Sequence, residues 1–307
     1  MSVNSGNYGK LLEPGLRKIF FETYNEKPEQ FSQILNVLSS QKAIETDLRM
    51  GGFTQWNEKG TLDATEYEDP TASDTVLYKH ATFSKGFQVE KEMVDDEQYS
   101  IINKMPKALA RAARSTIETK AASVFNTAFT ANAANWKGEA LIGNHVKLGG
   151  GTVSNRLTNN PVLSETSIKE ALRLAREQED ERGLLIQMMP DVLIVPPELE
   201  FVALEINNST LSTIPGGAGA GEFARNNTNS VKGRFKVVVW DYLTNANAWF
   251  LADSQVHQVN WMWREKLSFK NETDFDTDVA KYKGRMRFSY GWSDHRGIIG
   301  SDGSGLA

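Results

Sequence analysis

Two stretches of this chain carry residue types that can do chemistry. The first is "IPGGAGAGEFA" at 214–224, in which Gly216, Gly217, Gly219 and Gly221 fall within six residues. Glycines in such a loop let backbone N–H groups close around a phosphate. A dinucleotide fingerprint also needs a strand before the glycines, a helix opening among them, and an acidic residue about 20 positions on. Here a helical segment and an Asn-Ser-Thr turn precede the loop, and the polar "RNNTNSVKG" follows it. No Lys-Ser/Thr completes a phosphate-binding P-loop. The glycines therefore read as a surface loop, with a nucleotide-binding enzyme as the weakest alternative. The second stretch places Glu272, Asp274, Asp276 and Asp278 at alternate positions. A calcium loop needs Gly at its sixth position and Glu at its twelfth. Counted from Asp274, those positions hold Val279 and Arg285. The run reads as one charged face of a strand or turn.

The remaining candidates are sparse. His80, His145, His257 and His295 show no metal-binding spacing, and each reads as a surface or hydrogen-bonded histidine. With no cysteine, the chain can form neither a disulfide nor a thiolate site. No Gly-x-Ser-x-Gly elbow occurs. Trp261 and Trp263 share a strand face and read as core or interface. We expect no metal, no cofactor and no catalysis.

Composition narrows the class further. The 307 residues are 40% hydrophobic and 24% charged, a globular balance that can fill a sizeable core without staples. The net charge is −5, and no basic block marks a grip on nucleic acid. The first residues lack the basic start and apolar core of a signal peptide. No apolar run approaches the roughly 20 residues of a membrane span. A soluble protein made in a reducing cytosol is expected.

The elements that must position these residues follow from periodicity. Leu16, Ile19 and Phe20 form one helical stripe, and Phe31, Ile34, Leu35 and Leu38 a second beyond Pro28. Together they read as an arm over 1–45 that packs on something else. Residues 46–80 alternate weakly between Gly51, Gly52, Gly60 and Pro70, as a long polar hairpin too poor in apolar residues to stand alone. From 103 to 131, apolar residues recur every three or four positions, predicting a long helix with Asn103 as its cap and Pro106 in its first turn. A second helix starts at Ser164 and is expected to end at Gly183. A buried strand spans 192–195, a short helix starts at Pro197, and strands fill 233–243, 247–253 and the C-terminal part. Hairpin, helices, then strands is an α+β order rather than the alternation of a doubly wound sheet.

In that order the chain resembles the major capsid proteins of tailed bacteriophages, with the Hong Kong 97-like fold, and among them the Mu-like head subunits. The residues that carry the resemblance run nearly the whole length. They are the hairpin region, "KGFQVEKEMVDDEQYSIINKMPKALARAARSTIETKAASVFNTAF", "LIGNHVKLGGGTVSNRL", "SETSIKEALRLAREQEDERGLLIQMMPDVLIVPPELEFVALEI", "GRFKVVVWDYLTNANAWFLAD" and "WREKLSFKNETDFDTDVAKYKGRMRFSYGWSDHRGIIGS". The resemblance implies an N-terminal arm (1–45) and an extended loop (46–80) that reach onto neighbours. It implies a peripheral domain (81–150 with 254–307) built on the long helix as a spine, and an axial domain (151–253). The implied function is a structural subunit of an icosahedral head, self-assembling into pentamers and hexamers around double-stranded DNA. The implied partners are other copies, a separate scaffolding protein, a portal and decoration or minor capsid proteins, with no membrane. An encapsulin-like shell is the alternative. The implied interface candidates are Phe20, Phe31, Phe53, Trp56, Lys59, Glu66, Tyr67, Gly217, Gly219 and Gly221. Some relatives crosslink a lysine near Lys59 to a neighbour's asparagine, but no motif here supplies the asparagine or the acid, and the crosslink is not carried over.

Overall fold

The computed structural model describes residues 8–61, 64–69, 72–96, 98–131, 139–147, 150–212, 228–274 and 279–305. Gly217, Gly219 and Gly221 lie outside the described residues, as do Asp276 and Asp278.

The central sheet rests on period-two alternation. Strand β10 (Val259–Asp274) pairs antiparallel with β11 (Val279–Trp292), which pairs antiparallel with β4 (Ala81–Glu90). Along β11, Ala280, Tyr282, Gly284, Met286 and Phe288 are buried, while Lys281, Lys283 and Arg285 are exposed. One face therefore meets a core and the other meets solvent. Two helices cover the apolar face. Helix α1 (Tyr8–Tyr24) brings Leu16 and Phe20, and helix α4 (Lys104–Asn126) brings Leu109 and Ala110, all onto Phe269 and Tyr282. Gly284 lies beneath both helices; a Cβ there would be in ordinary contact, 3.7 Å from Phe20 and 3.8 Å from Leu109.

The first 45 residues depart from the expected arm of two helices. Beyond α1, a single 3-10 turn (Phe31–Gln33) leads into strand β1 (Asn36–Ser39), which pairs in parallel with β10. The stripe at Phe31, Ile34 and Leu35 is buried by that one turn. Leu38, the fourth member of the stripe, is 47% exposed. The open backbone edge of β10 needs hydrogen-bond partners, and that need overrides a weak helical spacing.

Helix α4 follows short helices α2 (Lys91–Asp95) and α3 (Tyr99–Ile102). Asn103 makes no side-chain cap, because it is already in the helical region and links α3 to α4 directly. Pro106 stands in the first turn as expected.

A second sheet runs β12 (Ile298–Ser301), β9 (Trp249–Ala252), β7 (Val192–Val195), β8 (Lys236–Val239). Its central strands are buried on both faces. Val192, Ile194, Val238 and Phe250 join the core that contains Ile117 and Phe125 of α4. Leu193, Val195, Trp249, Leu251 and Ile299 join Ile168, Ala171 and Ala175 of helix α5 (Glu165–Arg176) and Ala203 and Ile206 of helix α6 (Glu200–Asn208). Ser164 caps α5 in a reciprocal box with Ser167. The helix ends at Arg176, not at Gly183. Gly183 instead takes φ 84° within a turn in which Asp180 Oδ1 accepts from the N–H of Arg182 and of Leu184.

Two small antiparallel pairs complete the order. Strands β2 (Ile44–Met50) and β3 (Ala72–Lys79) form the root of the loop, and β5 (Asn144–Val146) pairs with β6 (Thr152–Ser154).

Candidate assembly surface

The β2–β3 ladder, from Ile44↔Lys79 to Met50↔Ala72, is the stalk of a loop over 51–71. On the stalk, Val76 and Tyr78 are buried while Leu48 and Leu77 remain about half exposed. A buried charge network fixes the base. Arg49, 8% exposed in its side chain, pairs with Glu181, and its Nε lies 3.8 Å from Asp294. Asp294 also accepts from Arg296 Nε at 2.7 Å. Burial alone would raise the Asp294 pKa; the Arg296 guanidinium, with His295 and Arg49 beyond it, outweighs that and holds it at about 2. One turn out, Glu68 accepts from Thr54 N and Oγ1 and pairs with Arg182 at 3.0 Å. Gly52 passes the same turn closely, since a Cβ there would lie 3.0 Å from Asp180 Oδ2.

Beyond this anchored base the loop is bare. Trp56 is 93% exposed and Tyr67 is 92% exposed. Its limbs enclose an open cleft of about 600 Å³ lined by Phe53, Trp56, Lys59, Glu66 and Tyr67, among others. Five interface candidates are thus brought together on one loop.

The other two described candidates lie elsewhere. Phe20 and Phe31 are fully buried inside this chain. Phe20 packs on Phe269 with ring centroids 4.9 Å apart, and Phe31 packs on Trp261, also at 4.9 Å. Both are taken up by the subunit's own core, because α1 and the turn after it fold back on α4 instead of reaching away.

Sequence reasoning missed the residue that secures this fold-back. Glu118 of α4 is 2% exposed. Its carboxylate accepts from the N–H of Gln30 (2.9 Å) and Phe31 (3.1 Å) and from Trp240 Nε1 (3.1 Å). Burial pushes its pKa up, and those three donors oppose the rise. Beside it, Arg114 pairs with Glu29 at 2.7 Å and lies 4.0 Å from the centroid of the Tyr24 ring. The available signal was a lone carboxylate on the helix face of Ile117, Ala121 and Phe125.

All four histidines are buried; of the two expected readings, surface or hydrogen-bonded, the second holds for His80 on Ser289, His145 on Glu139 and His257, whose Nδ1 accepts from the N–H of Val259. His145 and His295 stack face to face with centroids 3.7 Å apart. Among the described residues no cluster of three or more His, Asp or Glu is placed to hold a metal ion, and no helix is long and apolar enough to cross a membrane.

Comparison with known proteins gives these features a context. The family described as Phage capsid protein matches residues 73–301. The chain belongs to that family. Its fold is α+β and related to the Hong Kong 97-like capsid architecture. A solved structure of Mycobacterium phage Patience aligns with a TM-score of 0.54 at 12% identity, covering 97% of this chain and 88% of that one. A virus-like particle from Pyrococcus furiosus aligns at 0.52 and 10% identity, over 94% and 98%. The capsid of a native GTA particle aligns at 0.53 and 11%, over 88% of each. No curated protein matches in sequence. The protein is a capsid-forming structural protein.

Proposed function

We propose that the chain is the repeating subunit of an icosahedral phage head of the Mu-like type. It forms pentamers and hexamers that enclose double-stranded DNA, and it is made in the bacterial cytoplasm. In this reading α4 is the spine of a peripheral domain, and the second sheet with α5 and α6 is the axial domain. The observation that carries it is the loop: a charge-anchored stalk holding Trp56 and Tyr67 in solvent. Large aromatics held bare by a rigid base gain burial only from another molecule. In a closed shell every copy both gives and receives such a contact. Phe53, Trp56, Lys59, Glu66 and Tyr67 are the contact residues of the loop. The axial loop with Gly217, Gly219 and Gly221 adapts to both five-fold and six-fold surroundings. Scaffolding, portal and decoration proteins are the further partners.

The test is expression with and without a scaffolding protein, followed by electron microscopy. Icosahedral particles containing DNA are expected. Particles filled with an enzyme cargo would favour the encapsulin-like alternative, and a chain that stays monomeric under every condition would sink both. Deleting 52–70 should leave a folded, soluble subunit that forms no shells; loss of the fold would show the loop to be part of the subunit's own core.

A further inference from the structure

Helix α4 carries five cations, Lys104, Lys107, Arg111, Arg114 and Lys120, against one acid, Glu118. That acid is buried and accepts from Gln30, Phe31 and Trp240. Arg114 is answered by Glu29 at 2.7 Å. Lys104, Lys107 and Arg111 are exposed, and none of the three has an ion-pair partner among the described residues. At about 100° and 1.5 Å per residue, steps of three and four keep them within about 60° of one another and spread them over roughly 10 Å of the helix. The arrangement does not favour the helix itself. The positive end of a helix disfavours cations and its negative end favours them. Here the lysines stand at the N-terminal end, the first turn holds no acid, and the last turn holds no cation. The exposed residues beside the row are small: Ala108, Ser115 and Thr119. Core residues such as Leu109 and Ala110 separate the cations along the chain, so they form no basic block in the sequence.

A row of unanswered cations on one rigid helix fits a polyanion. Its small neighbours offer a protein partner little apolar area to bury, whereas a phosphate backbone needs only charge. Over roughly 10 Å a duplex presents about three phosphates per strand, one for each cation. We propose that Lys104, Lys107 and Arg111 of α4 form a sequence-independent contact for the phosphate backbone of double-stranded DNA. Three such contacts on a chain of net charge −5 hold a duplex segment weakly, and many copies in one shell make the contact effective together. The face of the subunit that carries the row therefore lines the interior of the shell. This inference rests on the shell reading above and adds to it which surface meets the DNA and by what chemistry.

The test titrates the purified, unassembled full chain into a fluorescently labelled duplex of arbitrary sequence and reads anisotropy from about 50 to 200 mM salt. Three phosphate contacts predict a roughly 40-fold loss of affinity over that range. Lys104→Gln with Lys107→Gln and Arg111→Gln should keep the wild-type circular dichroism and urea midpoint, because the three side chains are exposed and unpaired. It should weaken binding at low salt about tenfold or more and flatten the salt dependence. A control chain, Lys266→Gln with Lys270→Gln and Lys283→Gln, loses the same charge from other exposed positions and should bind as the wild type does. Equal weakening in the control would overturn the proposal, by assigning the effect to net charge. So would a wild-type chain that binds no duplex at low salt, or one that binds poly-glutamate and not duplex, which would assign the row to an acidic protein. If the triple variant does not fold, Lys107→Gln alone should lower the salt slope by about one, and an unchanged slope would overturn the proposal. In cells the triple variant should still form shells. Lost shells with duplex binding intact would make the row a contact between copies and overturn the proposal as well. A wild-type chain that binds duplex as expected but never forms particles is a different result, which refutes the shell reading and leaves the contact standing.

Discussion

The turn at Phe31 and the loop at Trp56 are both aromatic segments without regular helix, yet they meet opposite fates. Phe31 is fully buried, held where Glu118 accepts the N–H groups of Gln30 and Phe31. Trp56 is 93% exposed; its loop is anchored to the rest of the subunit at the base, while Asn57 and Glu66 bond limb to limb within it. A polypeptide that buries one aromatic segment through a charged acceptor leaves the other bare on a similarly well-fixed support. The difference separates what the subunit completes alone from what another molecule must complete.

The largest expected effect lies at the buried end of this comparison. Phe31→Ala removes a ring packed against Trp261 and should cost about 3–5 kcal/mol of stability. Urea unfolding of the isolated subunit measures it. A loss below about 1 kcal/mol would mean that the segment around Phe31 is not an integral part of the subunit core, and the contrast with the loop would collapse.

The next effect is pH-dependent and tests the network at the loop base. Burial lowers the His295 pKa well below 6.5, and His145, Arg49 and Arg296 lower it further against the pull of Asp294. Burial likewise lowers His145, with Glu139 pulling the other way. The unfolded chain therefore binds protons that the native chain refuses. The stability contributed is full above the unfolded value near 6.5 and drains as pH falls from there toward the depressed native value. Asp294 acts in a separate window, losing its contribution between its ordinary 3.8 and about 2. Glu118, pushed upward, has the opposite sign. The melting temperature of the subunit should fall from pH 8 to pH 5, and His295→Gln should flatten that slope. An equally steep slope in the variant would show that the stacked pair does not govern it.

Much of the fold was legible, for physical reasons. The spacing of Leu109, Ile117, Ala121 and Val124 marked α4, Ser164 marked the start of α5, and the unbroken run Val192–Val195 marked a strand buried on both faces. Each is a local signal. What stayed hidden depends on partners distant in sequence. The stripe from Phe31 to Leu38 is short enough to suit a helix, and only the edge of β10, more than 220 residues away, makes part of it a strand. Gly183 marked a turn but not the end of α5, because Asp180 organises that turn independently. The loop residues were legible as a surface group because aromatics among polar residues and glycines have nothing local to pack on.

The smallest expected effect on stability is the most informative about the loop. Trp56→Ala combined with Tyr67→Ala removes two large rings that touch mostly solvent. Truncation at such positions usually changes stability by no more than about 0.5 kcal/mol. The subunit's urea midpoint should therefore stay near the wild-type value while particle yield falls sharply. The two measurements must diverge for the comparison with Phe31 to hold. If stability falls by as much as for Phe31→Ala, the loop aromatics belong to the subunit's own core and the contrast is lost. If both stability and yield are unchanged, the exposure of Trp56 and Tyr67 has no role in assembly, and the loop contributes through its backbone and charges alone. Divergence places the missing half of the loop's burial in the neighbouring copy, because an exposed aromatic that costs nothing to delete from the subunit can affect the shell only through a contact the subunit does not make by itself.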